Sequence, residues 1–205
     1  ASDVYKRQAH YNHPSIYIWG ILNECASDTE YGKSCYKAQF ELIESLDKTR
    51  PRSFSSCRFK TDICFDLVDV VSYNIYPKWY HNTPVAEYLD DLYKWVQTTP
   101  GEGKPFLITE VGAGAIYGYR TPAKVKWSEE YQVQALEEQL NAILSYNDCS
   151  GVYIWQFCDV RVTNDWWSTR PRTMNNKGIV DEYRRPKLAY ETVKKIFSSV
   201  DIYRE

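Results

Sequence analysis

An α/β fold with a parallel sheet is predicted for this 205-residue chain, most simply a (β/α)8 barrel present as its C-terminal portion, about strands 4 to 8. Three observations predict it. Short apolar runs alternate with stretches of helical periodicity, which is βαβα order. Two of those runs end in a carboxylate, Ile16-Tyr-Ile-Trp-Gly-Ile-Leu-Asn-Glu24 and Phe106-Leu-Ile-Thr-Glu110. The glycine-rich phosphate turn of a nucleotide-binding doubly wound sheet is missing, because Gly112-Ala-Gly114 follows a glutamate and opens no prompt helix.

The elements follow in order. Strands are expected over residues 15–23, 53–57, 68–75, 106–110 and 152–157, the apolar runs reading as strands buried on both faces. Tyr36, Phe40, Ile43 and Leu46 recur at helical spacing. So do Val133, Leu136, Leu140, Ile143 and Leu144, behind a Ser128 suited to cap a helix. Helices over 85–96 and 187–197 complete the alternation. A whole barrel runs to about 250 residues, so three strands are expected upstream. Residues 3–8, Asp-Val-Tyr-Lys-Arg-Gln, are what a sequencing-library adapter encodes in translation. Residues 1–8 are therefore expected to be a non-native leader, and 9–205 the barrel portion.

Composition narrows the partners. A formal charge of −2 with no Lys/Arg run argues against nucleic acid or an anionic membrane surface. No apolar stretch is long enough to cross a bilayer as a helix. The 18 Tyr, 7 Trp and 7 Phe suit stacking on sugar rings, though core filling accounts for most of them. Cys25, Cys35, Cys57, Cys64, Cys149 and Cys158 show neither CxxC spacing nor histidines placed as ligands, so no metal and no cofactor are expected. Their spacing does not resemble a small secreted framework. Free thiols and a cytoplasmic location are the expectation. His10, His13 and His81 are scattered, and a structural role is expected for His13 before Pro14.

The paired acids point to glycoside chemistry. Cleavage needs one carboxyl to protonate the leaving oxygen and a second to attack the anomeric carbon or activate water, about 5 to 5.5 Å apart for retention of configuration. Strands three apart face each other across a barrel mouth, which is where Glu24 and Glu110 are expected.

These residues carry a resemblance to glycoside hydrolase family 2. Asn12-His-Pro-Ser-Ile-Tyr-Ile-Trp-Gly-Ile-Leu-Asn-Glu24 resembles its acid/base signature and Phe106-Leu-Ile-Thr-Glu-Val-Gly-Ala113 its nucleophile strand. The likeness continues through Ser128-Glu-Glu-Tyr-Gln-Val, Tyr153-Ile-Trp-Gln-Phe-Cys-Asp159, Asn176-Lys-Gly-Ile-Val and Arg185-Pro-Lys187. Within the family the β-glucuronidase group matches best. The resemblance implies Glu24 as general acid/base, Glu110 as nucleophile, Asn23 on the sugar 2-hydroxyl, Tyr76 orienting the nucleophile and Trp155 as a stacking floor. It also implies that Asn175 and Lys177 meet the C6 carboxylate of a uronic acid, where a galactosidase has no reason to place an ammonium.

The implied substrate is a glucuronide, small-molecule or oligosaccharide, and the implied full-length parent a homo-oligomer. A family 2 β-galactosidase or β-galacturonidase shares both glutamates and stays open as an alternative. A non-catalytic sugar-binding remnant is the third. The sequence reads Asn74-Ile-Tyr-Pro77 where several members read Asn-Arg-Tyr-Tyr, and the insert 161–173, with Trp166-Trp167 and Arg170-Pro-Arg172, is either an aglycone wall or a packed loop. The isolated chain is expected to be inactive and aggregation-prone.

Overall fold

The computed structural model describes residues 9–200, so the expected leader at 1–8 lies outside the described residues. A five-stranded sheet has the order β1-β2-β3-β4-β5, the same as the chain order. Its strands are β1 (Trp19–Asn23), β2 (Arg52–Ser56), β3 (Val71–Asn74), β4 (Phe106–Val111) and β5 (Cys149–Ile154). It is parallel, with helices α1 (Glu30–Leu46), α2 (Val85–Val96), α3 (Glu129–Leu144) and α4 (Leu188–Ser198) following in alternation. All five expected strands and all four helices form, with ends displaced by a few residues.

Three differences have physical causes. β1 starts at Trp19 rather than at residue 15, and only Trp19 of its residues is buried. It is an edge strand, so one side lacks a neighbour, and an apolar hollow of about 380 Å³ lined by Ile16, Ile18, Trp19, Ile21 and Ile43 opens beside it. Between β2 and β3 there is a single 3₁₀ turn, Phe65–Leu67, where a full alternation would place a helix. A buried polar knot shapes that connection: Asp62 accepts from the Ser27 and Ser56 hydroxyls and from the Cys64 amide. The segment after β5 adds an antiparallel ribbon of β6 (Val160–Arg161) and β7 (Met174–Asn175), which periodicity did not reveal because each strand has two residues.

The chain divides into two compact units. Among the described residues, the first comprises 9–74, 89–109 and 148–150; the second 75–88, 110–147 and 151–200. In the first, Thr29 caps α1 by accepting from the Gly32 amide, and α1 buries Tyr36, Phe40 and Ile43. Aromatic rings run in contact through this unit: Tyr36 on Phe54, Phe54 on Phe65, Phe65 on Tyr73, Tyr73 on Phe106. Many of the chain's tyrosines and phenylalanines are thereby core.

In the second unit, Ser128 caps α3 as expected, its hydroxyl accepting from the Tyr131 amide. α3 packs along α4, burying Leu136, Leu140 and Ile143 with Ala189 and Val193. Trp79, Ala113 and Ala135 form a further cluster with Tyr76, Trp127 and Tyr131 against it. All six cysteines are free thiols.

Candidate active site

β1 ends in a distorted register. Gly20 pairs with Ser53 and Asn23 with Ser55, with a bulge between, and Glu24 follows in the left-handed region at φ 53°. Such a backbone costs a non-glycine residue on the order of 1 kcal/mol and persists where its surroundings over-determine it. Here the Glu24 amide donates to the Ser55 carbonyl at 2.8 Å. Asn74, at the tip of β3, donates from Nδ2 to Glu24 Oε1 and to Asn23 Oδ1, both at 2.9 Å. The Thr109 hydroxyl donates to Asn74 Oδ1 at 2.8 Å and so sets which way the amide faces. The first unit therefore presents an oriented carboxyl with an oriented amide beside it.

The second unit holds a separate cluster. Glu110, in the C-terminal half of β4, accepts the Tyr76 phenol on Oε2 at 2.5 Å. A phenol so placed aims the carboxylate and stabilises its ionised form. Lys177 lies beside Tyr76, only 3% exposed. Its ammonium is 5.0, 5.5 and 5.1 Å from the ring centres of Tyr76, Trp79 and Tyr80 and donates to the Tyr80 hydroxyl at 3.0 Å. No carboxylate lies within ion-pair distance of Lys177 among the described residues. Burial pushes this lysine below its ordinary value, and the Tyr80 bond returns part of the shift. Burial alone would raise the Tyr80 phenol, but the Lys177 ammonium, with the Arg170 guanidinium 3.5 Å away, outweighs it and holds the phenol low. The Glu110 carboxylate also favours the charged form from beyond ion-pair distance, so the cation has a nearby negative charge but no direct ion-pair partner among the described residues.

The remaining expected residues are placed as follows. Asn175 accepts the Lys177 amide on Oδ1 at 3.3 Å, which engages the carbonyl end of its side chain and leaves the amide nitrogen as its donor end. Trp155 donates its backbone N–H to the Val111 carbonyl at 2.9 Å, and its indole is 39% exposed. Its carbonyl would lie 2.3 Å from a Cβ at position 112, so the residue two beyond Glu110 has to be glycine. In the insert, Trp166 and Trp167 are 53% and 45% exposed, and Arg170 joins it to Tyr80.

The structure thus groups Tyr76, Glu110, Asn175 and Lys177 in one unit and Asn23 with Glu24 in the other. Sequence reasoning missed Asn74, Thr109 and Tyr80. For Asn74 a signal existed, since a lone amide ends the buried run Val70-Val71-Ser72-Tyr73 as the glutamates end theirs.

Residues 1–202 match the family model described as glycosyl hydrolases family 2, TIM barrel domain. The chain belongs to glycosyl hydrolase family 2. Among curated relatives of this family 2 chain, the β-glucuronidase of Rattus norvegicus is 33% identical over 190 residues, 87% of the chain and 28% of the relative. That of Paenibacillus borealis is 28% identical over 198 residues, 95% of the chain and 33% of the relative. The chain thus spans about a third or less of the curated proteins it matches.

Among solved structures, a family 2 β-galacturonidase from Eisenbergiella tayi bound to galacturonate is 72% identical with a TM-score of 0.97, over 98% of this chain and 37% of that one. A β-D-glucuronidase from Dictyoglomus thermophilum is 26% identical with a TM-score of 0.86, over 96% and 34%.

Proposed function

We propose that the full-length parent of this family 2 chain is a retaining β-D-hexuronosidase that removes a terminal uronic acid. The observation that carries this reading is the buried Lys177 ammonium, held by a phenol and three π faces with no carboxylate within ion-pair distance among the described residues. A buried ammonium without a direct ion-pair partner is costly, and the C6 carboxylate of a uronide would supply one. Asn175 would donate to the same group.

Two steps follow for the glutamates. In the first, Glu24 protonates the glycosidic oxygen while the Glu110 carboxylate attacks C1, expelling the aglycone and forming a glycosyl ester. In the second, Glu24, now ionised, removes a proton from water as it attacks C1 from the vacated face. The ester breaks and Glu110 leaves as carboxylate, so two inversions give net retention. Tyr76 holds Glu110 for both displacements, Asn74 holds Glu24, Asn23 donates to the 2-hydroxyl, and Trp155 underlies the sugar ring.

Between uronic acids, the 72% match to a protein described as a galacturonidase favours galacturonides. The curated β-glucuronidases, at 28 to 33% identity, favour glucuronides as a second reading. The two sugars differ only at C4. The six free thiols favour a reducing compartment for the parent.

The test compares p-nitrophenyl β-D-galacturonide, glucuronide and galactoside on the purified full-length parent. Both uronides should exceed the galactoside in kcat/KM by roughly 10⁴-fold, with galacturonide first. A galactoside turned over as well as the uronides would overturn the uronidase reading.

A further inference from the structure

Behind the cage, a second lysine is more deeply buried than the first. Lys187, in Arg185-Pro-Lys187 at the start of α4, and Asp159, just before β6, have side chains with no exposure at all. The Lys187 ammonium spends its three donors on Asp159 Oδ1 at 2.8 Å, the Ala115 carbonyl at 2.6 Å and the Asn176 carbonyl at 3.1 Å. Asp159 Oδ1 also accepts the Gly178 amide at 2.9 Å. The pair therefore grips the backbone immediately before and immediately after Lys177. Gly178 admits no side chain, because a Cβ there would lie 2.3 Å from the Asp159 nitrogen. Gln132 closes the arrangement by donating to the Ala113 and Gly178 carbonyls at 2.9 and 3.0 Å.

We infer that Lys187 and Asp159 are positioning residues that set where the Lys177 ammonium stands relative to the segment leaving the nucleophile strand. The inference rests on the uronate reading of Lys177. The Lys187 ammonium binds the carbonyls of Ala115, five residues beyond Glu110, and Asn176, one before Lys177. Ala115 and Asn176 are also joined directly, amide to carbonyl at 2.8 Å. One cation thus ties the strand exit to the clamp. A buried ion pair is a poor device for stability alone, since apolar residues of similar volume commonly serve as well. It is a good device for fixing polar backbone at a defined spacing.

The experiment uses the full-length parent, with steady-state kinetics on p-nitrophenyl β-D-galacturonide and β-D-galactoside. Lys187→Met and Asp159→Asn should each raise the uronide KM about tenfold, leaving kcat and the galactoside kcat/KM nearly unchanged, and Lys187→Arg should recover part of the loss. In a Lys177→Ala background, Lys187→Met should raise the uronide KM no further. Equal losses on both substrates, or a Lys187→Met effect that persists without Lys177, would assign the pair to general stability and overturn the inference. If Lys187→Met does not fold, Asp159→Asn and Lys187→Arg carry the comparison. Should Lys177→Ala itself leave the uronide KM unchanged, the uronate reading fails first, and that outcome is distinct from a neutral Lys187→Met beside a damaging Lys177→Ala.

Discussion

The phenol of Tyr76 donates to Oε2 of Glu110 across 2.5 Å, and the same ring forms one wall around the Lys177 ammonium. One side chain therefore serves both the proposed nucleophile and the proposed carboxylate clamp. Tyr76→Phe keeps the wall and deletes the donor. The expected result is a fall in kcat of roughly 10²-fold with KM little altered, measured by steady-state hydrolysis of an aryl uronide. An unchanged kcat would remove Tyr76 from the mechanism.

Glu24 and Glu110 should fail differently. Glu110→Gln abolishes turnover of every substrate. Glu24→Gln lowers kcat/KM by roughly 10³-fold for poor leaving groups and far less for activated aryl ones, which leave without protonation. Added azide should restore turnover of the Glu24 variant and yield a glycosyl azide of retained configuration, identified by NMR. Asn74→Ala should cost roughly tenfold in kcat, about the worth of one hydrogen bond.

Lys177 gives a pH signature. Burial places its titration below the ordinary lysine value of 10.5, so the free protein loses this charge earlier on the alkaline side. Both profiles fall as the general acid loses its proton, and uronide kcat/KM should decline there more steeply than that of a neutral galactoside. Lys177→Gln should raise the uronide KM by roughly 10²-fold at neutral pH and abolish the difference between the two profiles.

Asp47 predicts acid sensitivity of the fold. Burial alone would raise its carboxyl, but the Thr49 hydroxyl and amide, the Trp19 indole and Arg50 outweigh that and hold it well below the usual carboxylate range. The unfolded chain then binds more protons than the folded one just below pH 3.8, so stability is fully present above that value and drains away as pH falls through the folded titration. Asp47→Asn should destabilise by roughly 2 kcal/mol at neutral pH and by progressively less in acid, read by thermal melting of the parent at several pH values.

Much of the fold was legible because βα units write their periodicities locally. Ile108 and Val111 in β4, or Leu136 and Leu140 in α3, announce a buried strand and a half-buried helix without reference to the rest of the chain. The glutamates were legible for a related reason, since a carboxylate ending an apolar run is a local contradiction. Lys177 was not legible on residues alone. Asn-x-Lys in a loop is ordinary surface, and only the approach of Tyr76, Trp79 and Tyr80, about a hundred positions earlier, makes its ammonium buried. Asp159 and Lys187 were hidden in the same way, because a buried charge looks like any other charge until its partners are known.

The two-residue ribbon after β5 separates length from phase. Val160 faces Asn175 and Arg161 faces Met174, so the ladder ends one residue before the Asn176-Lys177 step begins. Everything between Arg161 and Met174, including the exposed indoles of Trp166 and Trp167, hangs from that ladder as a hairpin. Insertions or deletions before Arg170 change the hairpin's reach while leaving in place the contacts of Arg170 with Tyr80 and of Pro171 with Asn176, which touch the cage. The outer part of the hairpin can therefore vary in length or be exchanged as a cassette, while the phase of the Asn176-Lys177 step is set by the ladder.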